Sequence, residues 1–226
     1  MEASEKNYIV EKLDSINTIG ELSEGHLPVT GKKVIFLDFD GVITTYRRKW
    51  KIDVDKVRIV NDICAACGAE VVVTSSWRVG FRGDVGGFTG HLSRYFADNG
   101  YSEEDRPDFE KFMRSITGLT DTMGGCRGDE IERYLNGHSE ISDYVIVDDD
   151  SDMLDTQLLN FVQTDTYDGI TEREMNLCVC VLNRTNLFSP LRLNQELKYR
   201  WRLRCRHPEL PNNIDTILKE YKTQRS

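Results

Sequence analysis

Residues 34–44 read Val-Ile-Phe-Leu-Asp-Phe-Asp-Gly-Val-Ile-Thr. Four apolar residues in a row suit a strand buried on both faces, as in a parallel sheet. Two carboxylates follow, one residue apart, and then a glycine. Ligands of open α/β sheets bind beyond the carboxyl ends of the strands, so Asp38 and Asp40 fall where chemistry can be done. With only Phe39 between them, the two acids repel unless a cation or a proton is shared. Such a pair suits a carboxylate nucleophile beside a carboxyl that works as general acid and base. Alone, the stretch also fits a Ca²⁺ loop or a strand end with solvated acids.

Reading outward, apolar runs alternate with helical spacing. Val57, Val60, Ile63, Cys64 and Cys67 recur on one helix face, and Gly68 is a good stop. Ala69–Thr74 is a strand, and Ser115–Gly118 predicts a short third one. Gly128-Asp129-Glu130-Ile131 opens a helix ending near Gly137. Tyr144–Val147 is a buried strand, Met153–Leu159 a helix, Phe161–Thr164 a strand and Thr171–Leu182 a closing helix. Residues 79–126 are the least regular, and Gly80, Gly83, Gly86, Gly87 and Gly90 read as a mobile loop. The alternation predicts an α/β fold: a Rossmann-like three-layer α/β/α sandwich with a mostly parallel sheet. The expected organisation is an N-terminal extension (1–30), one domain (31–183) and a basic C-terminal extension (184–226).

The bulk numbers narrow the class. A chain of 226 residues, 39% apolar and 30% charged, is long enough to bury a core. No apolar run approaches the ~20 residues that span a bilayer. The first residues lack the basic-then-apolar layout of a signal peptide, so a cytoplasmic location is expected. Cys64-x-x-Cys67 lies on an apparent helix face without a second such pair or a nearby histidine pair, which argues against zinc. Net charge is −9, yet residues 184–226 carry ten Lys/Arg against four Asp/Glu. Within that tail, Leu197–Arg206 alternates apolar with basic residues, a candidate surface for an anionic partner.

Three further stretches place polar groups at the end of a strand or the start of a helix. Val71-Val72-Val73-Thr74-Ser75-Ser76 is an apolar strand ending in hydroxyls. Arg127 stands at the start of the helix that precedes the Tyr144–Val147 strand. Val145-Ile146-Val147 runs into Asp148-Asp149-Asp150-Ser151-Asp152. An EF-hand would need Gly at the sixth position of that loop and Glu at the twelfth; Met153 and Leu159 stand there. With Asp38-x-Asp40-Gly41, these four stretches in this order resemble the four motifs of haloacid dehalogenase-like (HAD) phosphatases, across roughly residues 33–182. Ser-Ser-Trp-Arg, Arg-Gly-Asp-Glu-Ile and Val-Asp-Asp-Asp-Ser-Asp-Met resemble in particular the small HAD domain of RNA-repair proteins.

The resemblance implies a role for each residue. Asp38 is the nucleophile and Asp40 the general acid and base. Thr74, with Ser75 as understudy, and Arg127 bind the phosphoryl group; the superfamily more often uses lysine in the position of Arg127, and Lys111 is a weaker stand-in. Mg²⁺ is held by Asp38, the Asp40 carbonyl and Asp148 or Asp149, with Asp152 supporting the loop or the metal's water shell. Only about fifteen residues separate Gly41 from the next helix, so the cap over the site is small or absent. In this superfamily, that goes with bulky substrates. Tyr46-Arg47-Arg48-Lys49-Trp50-Lys51 could then hold backbone phosphates through Arg47 and Arg48 and stack a base; an exposed helix start with a packed Trp50 fits as well. Trp77-Arg78 is expected at the mouth, with Arg78 as a further substrate contact. Nucleic-acid ends, nucleotides and phosphoproteins all remain open as substrates. So do a small-molecule nucleotidase and a non-catalytic binder of nucleotides or protein.

Overall fold

The computed structural model describes residues 31–122 and 125–183. The expectations for the N-terminal extension and for the basic tail lie outside these residues. The apolar run of β1 (Lys32–Leu37) is fully enclosed from Val34 to Leu37 and forms the middle of a five-stranded sheet. The other strands are β2 (Ala69–Val73), β3 (Ile116–Leu119), β4 (Ile141–Asp148) and β5 (Phe161–Gln163). Their order is β3-β2-β1-β4-β5, and every pairing is parallel. The chain steps outward from β1 to β3, then returns to place β4 on the other side of β1. The end of β1 is therefore a topological switch point, where a crevice opens.

The helices are α1 (Val54–Cys67), α2 (Val85–Asp98), α3 (Arg106–Ser115), α4 (Arg127–Gly137) and α5 (Glu172–Leu182). Period-two alternation splits each strand between two faces. Ile35, Leu37, Val71, Val73, Val145 and Val147 share one apolar core with buried residues of α1, α2, α3 and α5. On the opposite face Phe36 meets Tyr134 of α4 edge-on, with ring centres 5.7 Å apart. Helices on both faces make this the expected three-layer sandwich.

Local signals explain the helix ends. The Asp53 carboxylate caps α1 by accepting from the Asp55 amide, and Gly68 closes it in the left-handed conformation at φ 64°. Thr171 and Glu174 form a reciprocal capping box on α5. Two stretches differ from the sequence reading. Residues 85–115 hold α2 and α3, so Gly86, Gly87 and Gly90 lie within a helix rather than in a loop; Asp84 caps α2 and Phe88, Leu92 and Phe96 bury its apolar stripe. These helices belong to the main core and not to a cap. After β4, Asp155–Asn160 is a 3₁₀ segment in place of the expected Met153–Leu159 helix, a tighter coil common in short connections.

Candidate active site

Strand register assembles the site. Leu37 pairs with Val73 on one side and Val147 on the other, so Asp38, Thr74 and Asp148 stand one position beyond on three adjacent strands. The Asp38 amide donates to the Val147 carbonyl (3.0 Å) and the Thr74 amide to the Leu37 carbonyl (2.9 Å). Phe39 then turns into the core, fully buried against Trp77, Phe88 and Phe112. Its carbonyl accepts from the amides of Val42, Ile43 and Thr44. Anchored by that ring, the chain presents Asp38 and Asp40 on either side of a tight turn. Gly41, at φ 73°, lies against the Asp149 carboxylate, and a Cβ there would overlap it.

Arg127 begins α4 and reaches the ends of β1, β2 and β4. Its guanidinium is 3.2 Å from Asp38 and 3.6 Å from Asp148, and it donates to the Thr74 carbonyl. Lys111 lies in α3, a different element. The start of α4 is itself pinned from a distance. Asp152 accepts from the Arg127 amide at 2.8 Å, and the Asp152 carbonyl accepts from the Gly128 amide at 3.3 Å. Asp152 thus sits on the helix end, which leaves the metal-type cluster of the described residues to Asp38, Asp148 and Asp149, whose ligand atoms lie within 4.8 Å of one another. The oxygen donor set suits a hard divalent cation. One buried oxygen of Asp148, Oδ2, has no hydrogen-bond partner and is the atom that faces Arg127 Nε at 3.6 Å. The Thr74 hydroxyl is likewise buried without a partner.

Asp40 is held from two directions. Thr44 Oγ1 donates to it at 2.6 Å, and the Trp77 indole N–H lies 3.2 Å from both of its oxygens. Thr166 Oγ1 does the same for Asp149 at 2.6 Å. Of these three donors, Thr44 ends the stretch that begins at Val34 and Trp77 was expected at the mouth, whereas Thr166 carried no sequence signal. The Ser75 hydroxyl faces Asp38 and favours its charged form. Arg47 and Arg48 stay at the surface, paired with Asp168 at 2.8 Å and Asp53 at 3.1 Å.

Arg78 does not stand at the mouth. It is 4% exposed, and its guanidinium turns inward. It donates to the carbonyls of Thr120 (2.7 Å), Ser75 (2.7 Å), Asp121 (3.2 Å) and Thr74, and pairs with Glu130 of α4. A planar fork of donors suits several fixed carbonyls at once. Arg78 fastens the ends of β2 and β3 to α4, behind Arg127.

The electrostatics leave a positive charge wanting. Burial pushes the Asp38 carboxyl up to about 6, against the pull of Arg127 and with repulsion from Asp40 and Asp149. Burial, then repulsion from Asp38, raises Asp148 to about 8. Burial alone would lower Arg127, but Asp38 and Asp148 outweigh it and the net shift is upward. One guanidinium pairs with two buried carboxylates, and Asp149 stands beside them. A carboxyl raised in the folded state stabilises the fold only while protonated: fully below about pH 4, progressively less as pH rises through about 6 and 8. A divalent cation bound to the ionised cluster would oppose that loss. The expected result is a Tm gain from Mg²⁺, relative to chelator, that grows from about pH 5 to about pH 8. A melting curve indifferent to Mg²⁺ at the upper end would contradict it.

A five-stranded parallel sandwich with aspartates ending the first and fourth strands defines a HAD-like domain. Residues 34–175 match the family model described as the HAD domain in Swiss Army Knife RNA repair proteins, and the chain belongs to that family. No curated protein and no solved structure matches the chain. Among the described residues, no helix is long and apolar enough to cross a membrane. Cys64, Cys67, Cys126 and Cys178 are free thiols; burial raises the Cys64 thiol to about 11, which keeps it unreactive.

Proposed function

We propose that the protein is a Mg²⁺-dependent phosphomonoester hydrolase acting through an aspartyl-phosphate. The observation that carries this reading is Asp38 at the central strand end, ion-paired with Arg127 and facing Asp148 and Asp149. Asp38, Asp148 and Asp149 would hold the cation, which neutralises charge on the phosphoryl oxygens. Asp38 attacks phosphorus as the bond to the leaving oxygen breaks. Asp40, positioned by Thr44 and Trp77, supplies that oxygen with a proton. It then takes a proton from the water that attacks the phosphoaspartate, releasing phosphate and restoring Asp38. Arg127 and the unpartnered Thr74 hydroxyl bind the phosphoryl oxygens, arginine in a bidentate manner if both donors engage.

Substrate choice follows from the open crevice and the family. The β1–α1 connection is short, which leaves room for a large substrate, and the family's members are parts of RNA repair proteins. Both favour phosphorylated nucleic-acid ends over free nucleotides and phosphoproteins. The test is Mg²⁺-supported phosphate release from 5′- and 3′-phosphorylated oligonucleotides, nucleotides and phosphopeptides. The highest kcat/KM is expected for an oligonucleotide end. No release from any of the three classes would contradict the proposal.

A further inference from the structure

Four large apolar side chains stand exposed among the described residues, and three of them are aromatic neighbours: Tyr46 (63%), Trp50 (44%) and Tyr167 (50%). Tyr46 lies 5.7 Å from Tyr167 and 6.3 Å from Trp50, centre to centre. Two separate loops supply them, the β1–α1 connection and the β5–α5 connection, so sequence proximity does not explain the group. Isolated exposed rings need no explanation, whereas a cluster does.

The loops are built stiffly. The amides of Arg48 and Trp50 donate to the Thr45 carbonyl, and the Lys49 amide to that of Tyr46. Lys49 and Trp50 are consecutive non-glycine residues with positive φ, 52° and 62°, a conformation that side chains ordinarily avoid. Such strain gathers at ligand-holding segments. In the other loop, the Asp165 carboxylate accepts from the amides of Tyr167 and Asp168. The Tyr46 amide donates to the Thr166 carbonyl, joining the two.

Both loops lead directly to the catalytic carboxylates. Tyr46 is two residues from Thr44, which holds Asp40, and Tyr167 is adjacent to Thr166, which holds Asp149. An occupant of the rings therefore lies beside the candidate phosphoryl site. The basic residues beside the rings are Arg47, which pairs with Asp168 and lies over the Tyr167 ring at 5.3 Å, and Arg48, Lys49 and Lys51. Arg47, Arg48, Lys49 and Lys51 are among the residues that line a cleft of about 620 Å³. Its carboxylates Asp53, Asp55 and Asp105 are drawn to Arg48 and Arg58. Lys49 and Lys51 are exposed and form no salt bridge with a described residue.

We infer that Tyr46, Trp50 and Tyr167 form a stacking platform for the bases of a single-stranded nucleic acid, with Lys49 and Lys51 on its backbone. The inference rests on the phosphatase reading for why such a strand would be held at this place. Aromatic faces that accept any base, beside cations that track phosphates, are the two parts such binding requires. A phosphopeptide would use the cations but has no need of three rings.

The test is equilibrium binding of the full chain, in chelator so that nothing turns over. The probes are a labelled single-stranded oligonucleotide, an abasic strand of equal length and charge, and a phosphopeptide. The base-bearing strand should bind tightest. Tyr167→Ala should weaken that strand by about 5- to 150-fold and barely change the abasic one, while Tyr167→Phe, which keeps a ring, should restore binding. Lys49→Ala with Lys51→Ala should weaken both strands and flatten the salt slope by about 0.7 per lost contact. Equal affinity for base-bearing and abasic strands, preference for the phosphopeptide, or indifference to Tyr167→Ala would each overturn the platform. Wild-type hydrolysis of an aryl phosphate with Mg²⁺, which involves no nucleobase, reports separately on the phosphatase reading.

Discussion

Asp38→Asn is expected to abolish turnover, by about four orders of magnitude or more, as loss of a nucleophile does in a concerted catalytic unit. The amide has nearly the shape of the carboxyl but cannot form the phosphoaspartate. Because burial and neighbouring acids already raise the Asp38 pKa, a neutral side chain fits the cation-free site without penalty. Repulsion with Asp148 is relieved and Arg127 keeps Asp148 as its partner. The variant should therefore melt no lower than the wild type in chelator near pH 8, and its gain from Mg²⁺ should shrink. Phosphate release together with paired melting curves checks this. Near-normal turnover would remove Asp38 from the role of nucleophile.

Arg78→Ala is the largest expected loss of stability. Four backbone carbonyls and Glu130 take its donors in a buried setting, and burial itself lowers its pKa. Removing one partner from a buried charged pair costs about 3–5 kcal/mol, which at this chain length lowers Tm by on the order of 10 °C. Arg78→Lys keeps the charge but not the planar fork, and should fall between. Denaturant unfolding measures the difference. A change below about 1 kcal/mol would mean that water replaces the guanidinium at those carbonyls.

Much of this architecture could be read from the chain, and the exceptions have physical reasons. Val34–Leu37 and Val145–Val147 announce themselves because strands buried on both faces must be continuously apolar. Acids directly after such runs point to the crevice, which is why Asp38, Asp40, Asp148 and Asp149 were visible. Arg127 could be placed because a glycine and two acids after it mark a helix start. The helix α2 was hidden by three glycines, whose poor helix propensity is overridden by the Asp84 cap and by burial of Phe88, Leu92 and Phe96. Arg78 was misplaced because a charged residue after a strand reads as exposed, while the turn at Ser76–Arg78 directs it inward to carbonyls of two segments and to Glu130. The bonds from Trp77 to Asp40 and from Thr166 to Asp149 join residues 37 and 17 positions apart, and only the folded sheet brings them together.

The central claim is that phosphate leaves through a covalent bond to Asp38. Its most direct test is acid quenching of the Mg²⁺-loaded protein during turnover of a ³²P-labelled phosphomonoester, followed by peptide mapping. A hydroxylamine-labile label is expected on the peptide that contains Asp38, absent in Asp38→Asn and after chelation. Turnover with no label on that peptide, or a label on another residue, would contradict it.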